Sequence, residues 1–241
     1  MVKLLLEDPR VDVRAVDKLG GSALHHAAIK GHGEVVKLLL WDPRVDVRAV
    51  DKDGCSALHD AAFEGHVEVV KLLLDDPRVD VRAVDNKGWT ALHCPAFKGH
   101  GEVIKILLGD PRVDVRVVDK GGMSALHYAA SGGHVKMVNL LLEDRVDANA
   151  KTNNGNTPLH LAASKNHHKV VRLLLDSLGF NTVNCANSTN YSPVMTALVA
   201  ENKAALQELL NHPKVSLSTV DGTGRSLEMV ARWVLCNQIE I

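Results

Sequence analysis

Residues 17–50 read DKLGGSALHHAAIKGHGEVVKLLLWDPRVDVRAV, and residues 51–84 restate them as DKDGCSALHDAAFEGHVEVVKLLLDDPRVDVRAV, with 27 of 34 positions identical. The same signal runs on in both directions. SALHHAA begins at Ser22, SALHDAA at Ser56, TALHCPA at Thr90, SALHYAA at Ser124 and TPLHLAA at Thr157, in steps of 34, 34, 34 and 33 residues. It continues in eroded form as SPVMTALVA from Ser192 and SLEMVAR from Ser226. A fixed period of this length marks a stack of supersecondary units, none of which buries its apolar face alone.

Each unit reads as a helix pair followed by a projecting loop. Ser22, Ser56, Thr90 and Ser124 stand where a hydroxyl caps the first turn of a short helix. That helix runs to a Gly-His step at 31–32, 65–66, 99–100 and 133–134, where glycine takes the left-handed conformation that ends it. A second helix follows: in EVVKLLL, Val35 and Val36 with Leu38, Leu39 and Leu40 mark the buried face, leaving Glu34 and Lys37 outside. It stops at Asp42 and Pro43, because proline cannot continue it. Pro95 falls inside the first helix of its unit, so that helix is expected to be distorted.

Composition narrows the class further. The 241 residues are 46% hydrophobic and 24% charged, the balance of a folded soluble chain. Only eight residues are aromatic, which favours thin Leu/Val/Ala layers over one thick core. A net charge of −1 gives no global pull toward nucleic acid or anionic membrane. No stretch reaches the length of a membrane span, and MVKLLLEDPR breaks off too early for a signal peptide. The four cysteines show neither metal nor disulfide spacing, pointing to a reducing compartment: cytoplasm, with the nucleus as the alternative. No P-loop, GxSxG or HExxH occurs, so no enzyme, cofactor or metal is expected.

The pattern DxxG followed by [ST]-[AP]-L-H-x-A-A-x-x-G-H-x-E-V-V-x-L-L-L resembles the ankyrin repeat. The resemblance implies an all-α ankyrin solenoid of helix-turn-helix units with β-hairpin or loop fingers. It partitions the chain as 1–16 (a partial unit), 17–50, 51–84, 85–118, 119–151, 152–186, a degenerate 187–220 and a capping partial unit 221–241. It also implies a segment of a longer protein, lacking its N-terminal cap. Ten of the thirteen histidines fall on two repeat positions, beginning at His25 and His32; in the family these tie neighbouring units together, so they are read as structural. This chain departs from the family's finger with DPRVDVRA, which predicts longer or differently bent fingers, and lacks the proline between Asp144 and Arg145, where a seam is expected.

The seven differences between units 17–50 and 51–84 include Asp53, Cys55, Asp60, Phe63 and Glu64, positions that in the family line the concave groove. Phe63, Trp89, Phe97, Met123 and Tyr128 fall at such positions, and rings and methionine are the side chains that anchor interfaces. With Lys52, Lys87, Lys98, Lys120 and Asp60 they form the candidate partner-binding set. Seven groove lysines against Asp53, Asp60 and Glu64 give a mild preference for an acidic or phosphorylated partner. Function is therefore read as a scaffold or adaptor binding a protein or peptide segment, with no membrane insertion and with small molecules disfavoured. RNA or nucleotide binding through rings and lysines is one alternative, and a purely structural spacer the other. The arginines recurring at 10, 14, 44, 48, 78 and 82 alternate with aspartates, so they are read as a neutralised edge rather than a phosphate track.

Overall fold

The computed structural model describes residues 2–144, 146–218 and 220–237, and the chain divides into two compact units, Met1–Lys120 and Gly121–Ile241. The first holds α1 (Val2–Glu7), α2 (Ala23–Ile29), α3 (Gly33–Trp41), α4 (Ala57–Glu64), α5 (Val67–Asp75), α6 (His93–Lys98) and α7 (Gly101–Leu108). The second holds α8 (Ala125–Ser131), α9 (Val135–Glu143), α10 (Pro158–Ser164), α11 (His168–Ser177), α12 (Phe180–Val183), α13 (Pro193–Val199), α14 (Lys203–Asn211) and α15 (Leu227–Asn237). The architecture is all-α. Within each unit a first helix packs on the second helix of its own repeat and on the first helix of the next: α4 on α5 and α6 in the first unit, α10 on α11 and α13 in the second.

The apolar spacing places most of the core: in α3 Val36, Leu39 and Leu40 are buried, whereas Val35, Leu38 and Lys37 are half-buried. In α5, Val69, Val70 and Leu73 are wholly buried and Leu74 nearly so, while Glu68 and Lys71 stay exposed. Each such side chain contributes roughly 1.5–3 kcal/mol of apolar burial. The alanines of the first helices, including Ala28, Ala61, Ala62 and Ala96, have no exposed surface. Their small size lets consecutive helices approach closely.

At the Gly-His steps the glycines adopt positive φ, 80° at Gly65 and 68° at Gly31. The requirement is twofold, because the His of the next repeat lies against them: a Cβ on Gly65 would sit 2.7 Å from His100 Nδ1. His100 Nε2 meanwhile donates to the carbonyl of Phe63 at 3.1 Å, and His66 Nε2 to Ile29 at 2.9 Å. Asn202 performs the same task in the eroded repeat, donating to Ala163 O at 2.8 Å. Gly65→Ala should therefore lower stability by about 2 kcal/mol, the left-handed penalty plus displacement of His100; urea unfolding that coincides with the wild type would refute this.

The fingers are not β-hairpins. The described residues contain no strand, only isolated bridges at Val16–Ser22, Val50–Ser56 and Val220–Ser226. The cause lies in DPRVDVRA: each aspartate captures the N–H two residues ahead, Arg44 N–H on Asp42 at 2.9 Å and Arg48 N–H on Asp46 at 3.0 Å. Consecutive Asx turns thus replace cross-strand pairing. Finger tips still join one another, Lys52 N–H to Leu19 O at 2.9 Å and Asn86 N–H to Asp53 O at 2.8 Å. The seam expected at Asp144–Arg145 falls on a residue outside those described.

Pro95 has the anticipated effect. The helix of that repeat begins only at His93, leaving Ala91 and Leu92 in a turn. The proline thereby comes to lie in the first helical turn, where its missing N–H removes no bond.

Candidate interaction site

The arginines, which by sequence alone form only an alternating charge pattern, are structural fasteners. Arg44 forms a two-pronged ion pair with Asp42, 2.6 Å at Nη2, and the same nitrogen donates to Leu6 O at 2.7 Å. Arg78 and Arg112 repeat this on Leu40 O and Leu74 O. These carbonyls belong to the open C-terminal ends of second helices, so each guanidinium caps the helix of the preceding repeat. The second arginine of the finger behaves alike: Arg14, Arg48 and Arg82 donate through Nε to Arg44 O, Arg78 O and Arg112 O at 2.9, 2.7 and 3.0 Å.

The first histidine set is equally committed. His59 Nδ1 lies 2.8 Å from Ser56 Oγ and accepts Ser56 N–H at 3.2 Å, while its Nε2 donates to Trp89 O at 3.0 Å. A carbonyl accepts only, so Nε2 carries the proton and the ring is neutral. Burial lowers its pKa. His160 holds Thr157 and Tyr191 O in the same way, and burial pushes it down to about 4. Among the described residues no group of three or more His, Cys, Asp or Glu is arranged to hold a metal ion, and no helix is long and apolar enough to cross a membrane.

What remains open lies on the finger and first-helix side of the unit Met1–Lys120. Three of the candidate rings come together there. Phe63 on α4 and Phe97 on α6 stack at 6.5 Å, and Trp89 on the intervening finger meets Phe97 at 5.5 Å. Phe97 is 49% exposed, and Phe63 and Trp89 are half-buried. Trp89 is fixed from behind, its N–H on Asp85 and its carbonyl on His59. Lys98 Nζ stands 4.3 Å from the Phe63 centroid and Lys87 Nζ 5.7 Å from that of Trp89, cation–π distances.

Beside the rings is a cleft of about 320 Å³ lined by Phe63, Trp89, Lys87 and four aspartates, Asp51, Asp53, Asp60 and Asp85. Asp60 Oδ2 is closed off from solvent and meets no hydrogen-bond donor. Burial first, then Asp51 and Glu64, pushes its carboxyl up to about 7. Cys55, also lining the cleft, is pushed up to about 12 by burial and by the aspartates, so it remains a thiol and not a nucleophile.

The other candidates are placed differently. Lys52 is exposed but directs Nζ to Lys18 O at 2.7 Å, and Lys120 is exposed at the end of the same unit. Met123 and Tyr128 belong to the second compact unit, where both are half-buried. Sequence reasoning missed Asp51 and Asp85 as part of the site. Their recurrence as the first residue of DxxG was the available signal, and it was absorbed by their turn role.

Ankyrin-repeat family models, described as "Ankyrin repeats (3 copies)", match residues 1–85, 35–119, 61–152, 111–184 and 145–221. The chain belongs to the ankyrin-repeat family, whose members generally mediate protein–protein interactions and whose repeat domains are generally non-catalytic. No curated protein matches the chain.

Proposed function

We propose that this chain is an interaction scaffold that holds a segment of a partner protein on its finger and first-helix side, centred on Phe63, Trp89 and Phe97. The observation that carries this reading is the ring cluster itself. Three large rings stand in contact on a side of the molecule where stacking of the repeats needs only alanine and leucine, and Phe97 keeps half its surface in water. Such clusters concentrate binding energy at protein interfaces. Lys52, Lys87, Lys98 and Lys120 border this region, suited to acidic or phosphorylated residues flanking the anchored part of the segment; Met123 and Tyr128, on the second unit, are separate candidate contacts for a partner.

Two features favour a protein over RNA. Arg44, Arg48 and Arg82 are committed to backbone carbonyls, and Lys98 stands 4.3 Å from the Phe63 centroid, where it competes with a stacking base. The free thiols of Cys55, Cys94 and Cys185 support a reducing compartment, cytoplasmic or nuclear.

Affinity capture with the full chain tests the reading. Partners held by the wild type should be lost, by 10-fold or more in affinity, from Trp89→Ala and Phe97→Ala, and kept by Trp41→Ala, whose ring is 88% exposed at the end of α3. Equal recovery by all three variants would remove the ring cluster as the site. Captured material removed by ribonuclease treatment would identify nucleic acid instead.

A further inference from the structure

The geometry points to a specific occupant for the cleft beside the rings: a basic side chain, lysine or arginine, carried by the bound protein segment. This rests on the proposed recognition role and names the chemistry of its anchor.

The repeats themselves supply the comparison. In residues 17–50 the position equivalent to Asp60 is His26, whose Nε2 lies 2.9 Å from Asp17 Oδ2, the finger aspartate. In the last repeat the finger aspartate is Asp221, and Arg225 closes on it at 2.7 Å. Where the chain offers a base, the finger carboxylate takes it. In residues 51–84 that base is replaced by a second acid. Asp51 Oδ1 accepts the N–H groups of Asp53 and Cys55, fixing the turn, and among the described residues no basic side chain pairs with Asp51, Asp60 or Asp85.

Four carboxylates therefore line one cleft, against a single lysine. Lys87 makes no ion pair with any of them among the described residues, and its ammonium stands by Trp89. Asp60 Oδ2 is both buried and unbonded, a state that costs free energy until a donor arrives. An acidic side chain is repelled here, and an apolar one gains nothing from the carboxylates. A cation with N–H donors gains from the charges of Asp51, Asp53 and Asp85 and favours ionisation of Asp60, whose carboxyl burial pushes up to about 7. The rings of Phe63 and Trp89 on the same wall provide apolar surface for the methylene stem of lysine or arginine.

The experiment selects a phage-displayed random dodecapeptide library on the full wild-type chain. Enriched peptides should share a lysine or arginine. Replacing it with norleucine should weaken binding at least tenfold on the wild type and less than twofold on Asp60→Asn, each protein first checked by circular dichroism. Asp60→His, which copies the His26 arrangement and fills the cleft from within, should abolish the preference for a basic residue while leaving the ring cluster in place. Binders that depend on Trp89 but share no basic residue, or a norleucine effect equal on wild type and variants, overturn the inference and leave the recognition role standing. Failure of any peptide to bind the folded chain overturns both, and selection of single-stranded RNA in a parallel arm does the same.

Discussion

Lowering the pH from 7 to 4 should remove about 3 kcal/mol of folding stability through His160 alone. The ring is almost wholly buried, accepts from Thr157 at Nδ1 and donates to Tyr191 O at 2.9 Å. Burial pulls its pKa down to about 4, and the bond to Tyr191 only partly opposes this. An unfolded histidine titrates near 6.5. Between these values the unfolded chain binds a proton that the folded chain refuses, so stability is full above about 6.5, falls as the pH drops, and levels off below about 4. His59, lowered in the same direction, steepens the fall. Urea unfolding at several pH values, for wild type and His160→Gln, measures it. The variant should be weaker at pH 7.5, having lost its neutral buried bonds, yet flatter between 6.5 and 4. Parallel curves would show that His160 is not the group responsible.

Leu73→Ala should cost roughly 3 kcal/mol, the sum of lost transfer free energy and the cavity left behind. Leu73 has no exposed surface, and its helix, α5, is packed between α3, α4 and α7. The consequence reaches function, because α4 carries Asp60 and Phe63. Partner affinity should fall only in proportion to the unfolded fraction and recover under stabilising conditions, whereas Trp89→Ala should lose affinity with the fold intact. Identical melting of wild type and Leu73→Ala would refute the burial on which this rests.

The repeat, the Gly-His steps and most of the buried faces were legible in the residues because each depends on local chemistry: a residue without Cβ at a left-handed position, apolar side chains at helical spacing. Pro95 was legible for the same reason. The caps were legible only in part: Ser22 and Ser56 precede their helices with Oγ beside a histidine Nδ1, while the helix after Thr90 begins beyond Leu92. The fingers were not legible, since whether DPRVDVRA pairs across strands or folds on itself is decided by aspartate capturing the N–H two residues ahead, and spacing does not reveal which bond wins. Nor was the task of Arg78: its partner, Leu40 O, lies 38 residues away. The three rings of the first unit were legible as positions free of stacking duty. The sign of the charge around them was not, because a tally of seven lysines against three acids treats every charge alike, while Lys52 is drawn to a carbonyl and Asp51 and Asp85 line the cleft.

The reach of the arginine and histidine bonds sets how such a chain can grow. Arg48 to Arg78 O and His59 to Trp89 O each span 30 residues, Lys52 to Lys18 O spans 34, and Arg78 to Leu40 O spans 38. All of them join neighbours one period apart. Inserting or deleting a whole block of 34 residues between Asp17 and Val118 hands every donor an equivalent acceptor, so duplication of a stretch of coding sequence lengthens the array without inventing an interface. The one shorter step, Ser124 to Thr157, keeps its histidine bond by reaching one residue less, His127 Nε2 to Asn156 O across 29 residues. Copy number is thus free to vary in whole steps, and two copies as alike as residues 17–50 and 51–84 are what such a history leaves behind.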